Sequence, residues 1–174
     1  MGAPTDLIEE PLSLQALGER YRQLCADPLL ENIPGKIEID AWGQILMSPA
    51  SNYHGILQVR VGRLLEPLGG TTIAEASVLT GSGVHVADIA WASPTFMHAH
   101  GNETPFPRAP EICIEIASPS NSRKALREKV AAYLVAGAVE AWILFAQSKR
   151  VERYDETGLI EQSRYPIELA IVFD

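Results

Sequence analysis

The chain has 174 residues, 47% hydrophobic and 21% charged, with a formal net charge of −8. That length supports a real core in one domain spanning 1–174, and the composition is that of an ordinary globular protein. The acidic balance argues against a surface coated in nucleic-acid-binding charge, and no apolar run approaches the roughly 18 residues of a membrane span.

Met1 to Glu10 carries acids and no base, which does not fit a signal peptide. With only Cys25 and Cys113 as cysteines, and Cys113 inside an apolar run, we expect a reducing, cytoplasmic setting rather than a disulfide framework. Residues 1–32 read as an amino-terminal helical extension, in which Ser13 caps a helix with Leu14, Leu17, Tyr21 and Leu24 on one face. Lys36–Asp40 and Gln44–Met47 flank Ala41-Trp-Gly43 as a β-hairpin. The turn-like Ser48-Pro-Ala-Ser-Asn52 leads into a second helix over Tyr53–Leu65, with His54 on the same face as Leu57. Strands are expected at Thr72–Ala76 and Val84–Trp91, joined through Gly81-Ser-Gly83. Residues 93–110, rich in Pro, Gly, His and Asn, read as a surface loop. His98 and His100 in it lack further ligands at zinc spacing.

A buried strand over Glu111–Ala117 follows, then a helix from about Ser122 to Ala136 with Leu126, Val130, Tyr133 and Leu134 inward and Gly137 as its stop. Trp142–Phe145 reads as a core strand, Arg150–Tyr154 as a more exposed one, and Ile167–Phe173 as a last short strand. An exposed apolar strand there would suit pairing with a second copy, so a homodimer is expected. The order predicts an α/β (α+β) fold, a mixed central sheet flanked by helices.

Two carboxylates stand out. Asp88 lies in Val84-His-Val-Ala-Asp88-Ile-Ala-Trp91, and Glu115 interrupts Ile112-Cys-Ile-Glu115-Ile-Ala. An unpartnered charge inside such strands costs several kcal/mol, roughly, so the pair reads as a metal site or an acid/base pair. Phosphodiester hydrolysis needs a hard cation, and Mg²⁺ is content with one or two carboxylates plus carbonyl and water oxygens. Asp88, Glu115 and the Ile116 carbonyl suit it. Within the following helix, Lys129 comes three residues after Leu126 and four before Tyr133, on the border of the inward stripe, while Lys124 and Glu128 point outward. Seven of the 14 Lys and Arg fall between Arg123 and Arg153. Of these, Arg123, Lys124 and Arg127 form a local basic face suited to phosphate contact. Plainer roles compete: Asp88 satisfied by backbone N–H groups, Lys129 snorkelling from its helix border, Tyr133 in the core, Glu140 holding a loop or helix end.

The stretch Ala87-Asp88 … Glu111-Ile-Cys-Ile-Glu115-Ile-Ala-Ser-Pro-Ser-Asn121 … Arg127-Glu-Lys129 … Tyr133 … Gly137 … Glu140-Ala-Trp142-Ile, with Met47-Ser-Pro49 and His54-Gly55 upstream, resembles the Uma-two family of restriction-endonuclease-like proteins in the PD-(D/E)XK nuclease superfamily. The likeness covers roughly 33–155. It implies a restriction-endonuclease-like αβββαβ core, DNA as partner, and Mg²⁺ or Mn²⁺ held by Asp88 and Glu115. Two departures stand in this chain: Ala87 replaces the superfamily's proline before Asp88, and Ala117 stands where the Glu-x-Lys lysine would be. In this family that lysine comes from the following helix, which again points to Lys129. Related nucleases add a histidine from the first core helix to the metal, which makes His54 a candidate ligand. The expected activity is metal-dependent DNA cleavage. The alternative is a non-catalytic binding or assembly module on the same fold.

Overall fold

The computed structural model describes residues 10–31, 33 and 35–174. Apart from Glu10, the acidic amino-terminal segment lies outside them. The described residues form four α-helices and an eight-stranded mixed sheet, in the order α1 (Leu14–Cys25), β1 (Lys36–Asp40), β2 (Ile45–Ser48), α2 (Asn52–Leu65), β3 (Thr71–Thr80), β4 (Gly83–Ala92), α3 (Pro94–His100), β5 (Ile112–Ala117), α4 (Arg123–Val135), β6 (Glu140–Phe145), β7 (Arg150–Asp155) and β8 (Gly158–Ile160). No helix is long and apolar enough to cross a membrane among the described residues.

A serine cap starts each of the four helices. The hydroxyls of Ser13, Ser51, Ser93 and Ser122 each accept from the backbone N–H three residues on. Beyond α4, Gly137 takes φ 108°, a conformation that favours glycine and ends the helix.

The sheet runs β2-β1-β4-β5-β6-β7-β8, with β3 on the other edge of β4. Among the described strands only β5 and β6 pair with each other in parallel, and α4 is the crossover between them. One face is covered by α4, whose Leu126, Val130 and Tyr133 pack with Cys113, Ala141, Ile143 and Phe145. The other is covered by Leu57, Val61 and Leu65 of α2 and by Leu169, Val172 and Phe173, which pack with Ile112, Ile114, Trp142 and Leu144. Tyr21 and Leu17 of α1 close a third cluster over Ile39 and Val84.

Two features of β4 place the site. First, β1 and β5 share one edge of β4 without meeting. β1 pairs with it at Gly83 and Val84, β5 at Ile89–Trp91, and the strand forks between them. At the crotch β1 comes so close that a Cβ on Gly83 would lie 2.1 Å from the Ile39 carbonyl oxygen. Second, the β3–β4 hairpin reverses its faces midway. Ala87 and Ala90, three apart, enter the same core cluster, as do Ile73 and Ala76 across from them. A regular strand would send such residues to opposite faces. The reversal centres on Glu75, which has φ 54° inside a strand, opposite Asp88.

Two expectations are corrected. Residues 93–110 are not all loop: Ser93-Pro94 is a helix-start pair, and α3 is anchored by Phe96 edge-on to Phe106. Nor is the tail a strand. Leu169–Phe173 is a 3₁₀ turn, because Leu169, Val172 and Phe173 recur at helical rather than alternate spacing and bury against α2. That segment is therefore not the exposed strand through which a homodimer was expected.

Candidate active site

The fork in β4 leaves the N–H and C=O of Val86 without a ladder partner, and two side chains of β1 serve them. Glu38 Oε1 accepts from Val86 N at 2.6 Å, and Lys36 Nζ donates to Val86 O at 2.8 Å. On the far prong, Asp88 Oδ2 accepts from Ile116 N at 2.6 Å. This fork forms the floor of a cleft of about 850 Å³ whose wall includes Met47, Ser48 and Pro49 of the hairpin and Asn121 and Lys129 of the α4 side.

The functional side chains meet on that floor. Lys36 Nζ lies 2.7 Å from Asp88 Oδ1 and 3.7 Å from Glu115 Oε2. Lys129 Nζ lies 3.1 Å from Glu115 Oε2 and 2.8 Å from Glu38 Oε1. Tyr133, one helical turn on from Lys129, donates its hydroxyl to Glu115 Oε1 at 2.7 Å. His54 Nε2, at the start of α2, is 3.2 Å from Asp88 Oδ1. The carboxylates are almost wholly enclosed, with Asp88 1% and Glu115 3% exposed.

Environment separates the two. Burial pushes the Asp88 carboxyl up, but the His54 hydrogen bond and the Lys36 charge outweigh it and hold it at about 2. Burial raises Glu115, and the charges of Lys129 and Lys36 only partly offset that. The Asp88 hydrogen bond raises His54 against burial. Burial drives His85 down to about 4. Its Nε2 meets Ser82 Oγ at 2.8 Å, and its Nδ1 is buried without a partner among the described residues.

The two histidines make opposite contributions to stability. His85 is depressed, so its contribution is full above about pH 6.5 and is lost as pH falls toward 4. His54 is raised, so its contribution is full below about pH 6.5 and is lost as pH rises through its folded value. Denaturant unfolding at pH 6.5 and pH 4 should show a loss of up to about 3 kcal/mol from His85, and His85→Gln should flatten that segment of the profile. An unchanged profile in the variant would assign the loss elsewhere.

Asp88 also belongs to a second grouping. Ligand atoms of His54, Glu75 and Asp88 all lie within 4.8 Å of one another, with Glu75 set by its reversed backbone and held by Gln58 Nε2 at 2.5 Å. The donor chemistry fits a hard divalent ion, with carboxylate oxygens converging and one imidazole nitrogen beside them.

The structure thus brings Asp88, Glu115, Lys129 and His54 together. Arg123, Lys124 and Arg127 stand apart on the first turns of α4. Arg123 lies over the Phe145 ring at 5.3 Å, Lys124 pairs with Glu128 at 3.7 Å, and Arg127 is held by Glu152 and Tyr154. Glu140 is structural, accepting from the Trp142 indole and from Arg164 N. Sequence reasoning missed Lys36, Glu38 and Glu75. In Lys36-Ile-Glu-Ile-Asp40 the charged alternates read as the solvent face of a hairpin, and nothing local says that this face turns toward a fork.

A family model, Uma2, described as "Putative restriction endonuclease", matches residues 19–170. Among solved structures, the fold matches the crystal structure of a putative nuclease belonging to DUF820 from Anabaena variabilis. The TM-score is 0.65 at 17% identity, covering 81% of this chain and 93% of that one. No curated protein matches the sequence.

Proposed function

On the premise that the chain belongs to the Uma2 family, we propose that it is a metal-dependent nuclease hydrolysing DNA phosphodiester bonds. The observation that carries this reading is the convergence of Asp88 and Glu115 on one shared cation, Lys36, at the floor of an open cleft, with Lys129 beside Glu115. Asp88 and Glu115 would hold Mg²⁺ or Mn²⁺, with His54 and Glu75, which gather around Asp88, as further donors. Such an ion supplies a Lewis acid that activates water and stabilises charge developing on phosphate.

The chain's own groups do the rest. Asp88 stays ionised at any working pH. Tyr133 and Lys129 fix the two oxygens of Glu115, so the carboxylate cannot swing out of line. Lys129 presents a positive charge beside Glu115, suited to holding an attacking water or a phosphate oxygen. Arg123 and Lys124, at the mouth of the helix, would meet the flanking backbone phosphates.

The test is incubation of plasmid and linear DNA with the pure protein and Mg²⁺ or Mn²⁺, beside an Asp88→Ala/Glu115→Ala control. Metal-dependent cleavage by the wild type alone is the expected result. Equal inertness of both across duplex and single-stranded substrates would leave the non-catalytic module as the better reading.

A further inference from the structure

The ammonium of Lys36 holds the same carboxylates that a metal would need. It bonds Asp88 Oδ1 at 2.7 Å and lies 3.7 Å from Glu115 Oε2, and it is tethered to the Val86 carbonyl. We propose that Lys36 is a resident counter-ion that competes with divalent metal for the Asp88–Glu115 pair and yields when a phosphodiester arrives. The proposal rests on the metal-dependent reading above.

The charge balance supports it. With His54 neutral, as a metal ligand must be, and the exposed Glu75 facing solvent, the enclosed floor holds three carboxylates, Glu38, Asp88 and Glu115, against two ammoniums, Lys36 and Lys129. A divalent ion added alone would turn a net charge of −1 into +1 in a buried site. A phosphodiester entering with it would bring the floor to neutrality, and buried charge is tolerated best when it is matched. Of the two lysines, Lys36 is the one placed to respond. Lys129 bridges Glu38 and Glu115 and never touches Asp88, whereas Lys36 reaches both Asp88 and Glu115. Its stem starts at the first residue of β1 and lines the cleft, with the side chain 14% exposed, so the head can swing toward an incoming phosphate on a flexible chain. Lys36 is thus a positioning residue: it bridges the two carboxylates and offsets their mutual repulsion without metal, and it couples metal loading to the presence of substrate.

The test is calorimetric titration of Mn²⁺ into the wild type, Lys36→Met and Lys129→Met, each alone and with a short phosphorothioate DNA duplex that resists cleavage. Lys36→Met is expected to bind Mn²⁺ at least tenfold tighter than wild type without DNA, and Lys129→Met to change less than threefold. The duplex should tighten Mn²⁺ binding at least fivefold more in the wild type than in Lys36→Met. Lys36→Gln, which keeps a donor for Val86 O, repeats the measurement if thermal melting shows Lys36→Met to be unfolded. Equal tightening by both lysine variants would reduce the effect to net charge and overturn the proposal. So would Mn²⁺ binding that is present but indifferent to Lys36, which would leave the nuclease reading standing. Absence of Mn²⁺ binding in every protein, with and without DNA, would sink both.

Discussion

Lys129→Met is expected to lower the turnover of DNA cleavage about a thousandfold while changing KM less than threefold. A positioned proton-transfer group contributes on the order of 10²–10⁴ in rate, and a single donor aimed at developing charge about 10²–10³. Lys129 is built for such a task. It sits on a helix whose neighbours Leu126, Val130 and Tyr133 are locked in the core, and its ammonium is fixed by Glu38 and Glu115. An interaction made only in the transition state lowers kcat and kcat/KM together, which is the pattern to look for. The variant should still fold, because methionine keeps the stem that packs at the helix border, and Glu115, already raised by burial, can take up a proton instead. Lys129→Arg separates charge from shape. Its planar fork should preserve melting behaviour but restore no more than about a tenth of the rate. A Lys129→Met protein that cleaves within tenfold of wild type would remove Lys129 from the mechanism and leave Lys36 as the cation of the site.

The largest loss of stability is expected at Trp142. It is fully enclosed in the central strand β6, packs with Ile112, Ile114 and Leu144 opposite α2, and donates its indole N–H to Glu140 Oε2 at 2.7 Å. Trp142→Ala should cost about 4 kcal/mol through cavity formation, to which the unpaired Glu140 oxygen adds. For a protein of this size that lowers Tm by about 10 °C. Trp142→Phe keeps most of the packing and should isolate the hydrogen bond at about 2 kcal/mol. In a double-mutant cycle with Glu140→Gln, coupling near zero would mean that the bond contributes nothing beyond its packing.

The sequence carries the elements whose signals are local. The Ser13 cap, the α4 stripe that brings Lys129 to Glu115, and the apolar β5 and β6 all follow from spacing. So does the suspicion attached to Asp88 and Glu115, since each breaks a run that has no other reason to hold a charge. What the sequence could not carry is long-range. Lys36 and Glu38 become site residues only because β1 and β5 leave β4 at different points, which sets both against Val86, about fifty residues further along the chain. Glu75 becomes one because its strand reverses face, and alternation rules assume that strands do not. The tail failed for a related reason: six apolar residues among seven suit either a strand or a turn, and packing against α2 decides.

The fork in β4 also bears on how relatives of this chain should be read. Glu38 and Lys36 are backbone partners of Val86 as well as neighbours of the reactive carboxylates, and Asp88 holds the Ile116 amide of β5. Losing any of them strands a buried polar group at a cost of about 1–3 kcal/mol, whether or not the protein cuts anything. A descendant that had abandoned cleavage would still be selected to keep them. Persistence of these three side chains across relatives therefore tracks folding, and loss of Lys129 or His54, which serve no backbone group through their side chains here, is the more telling mark of a retired nuclease.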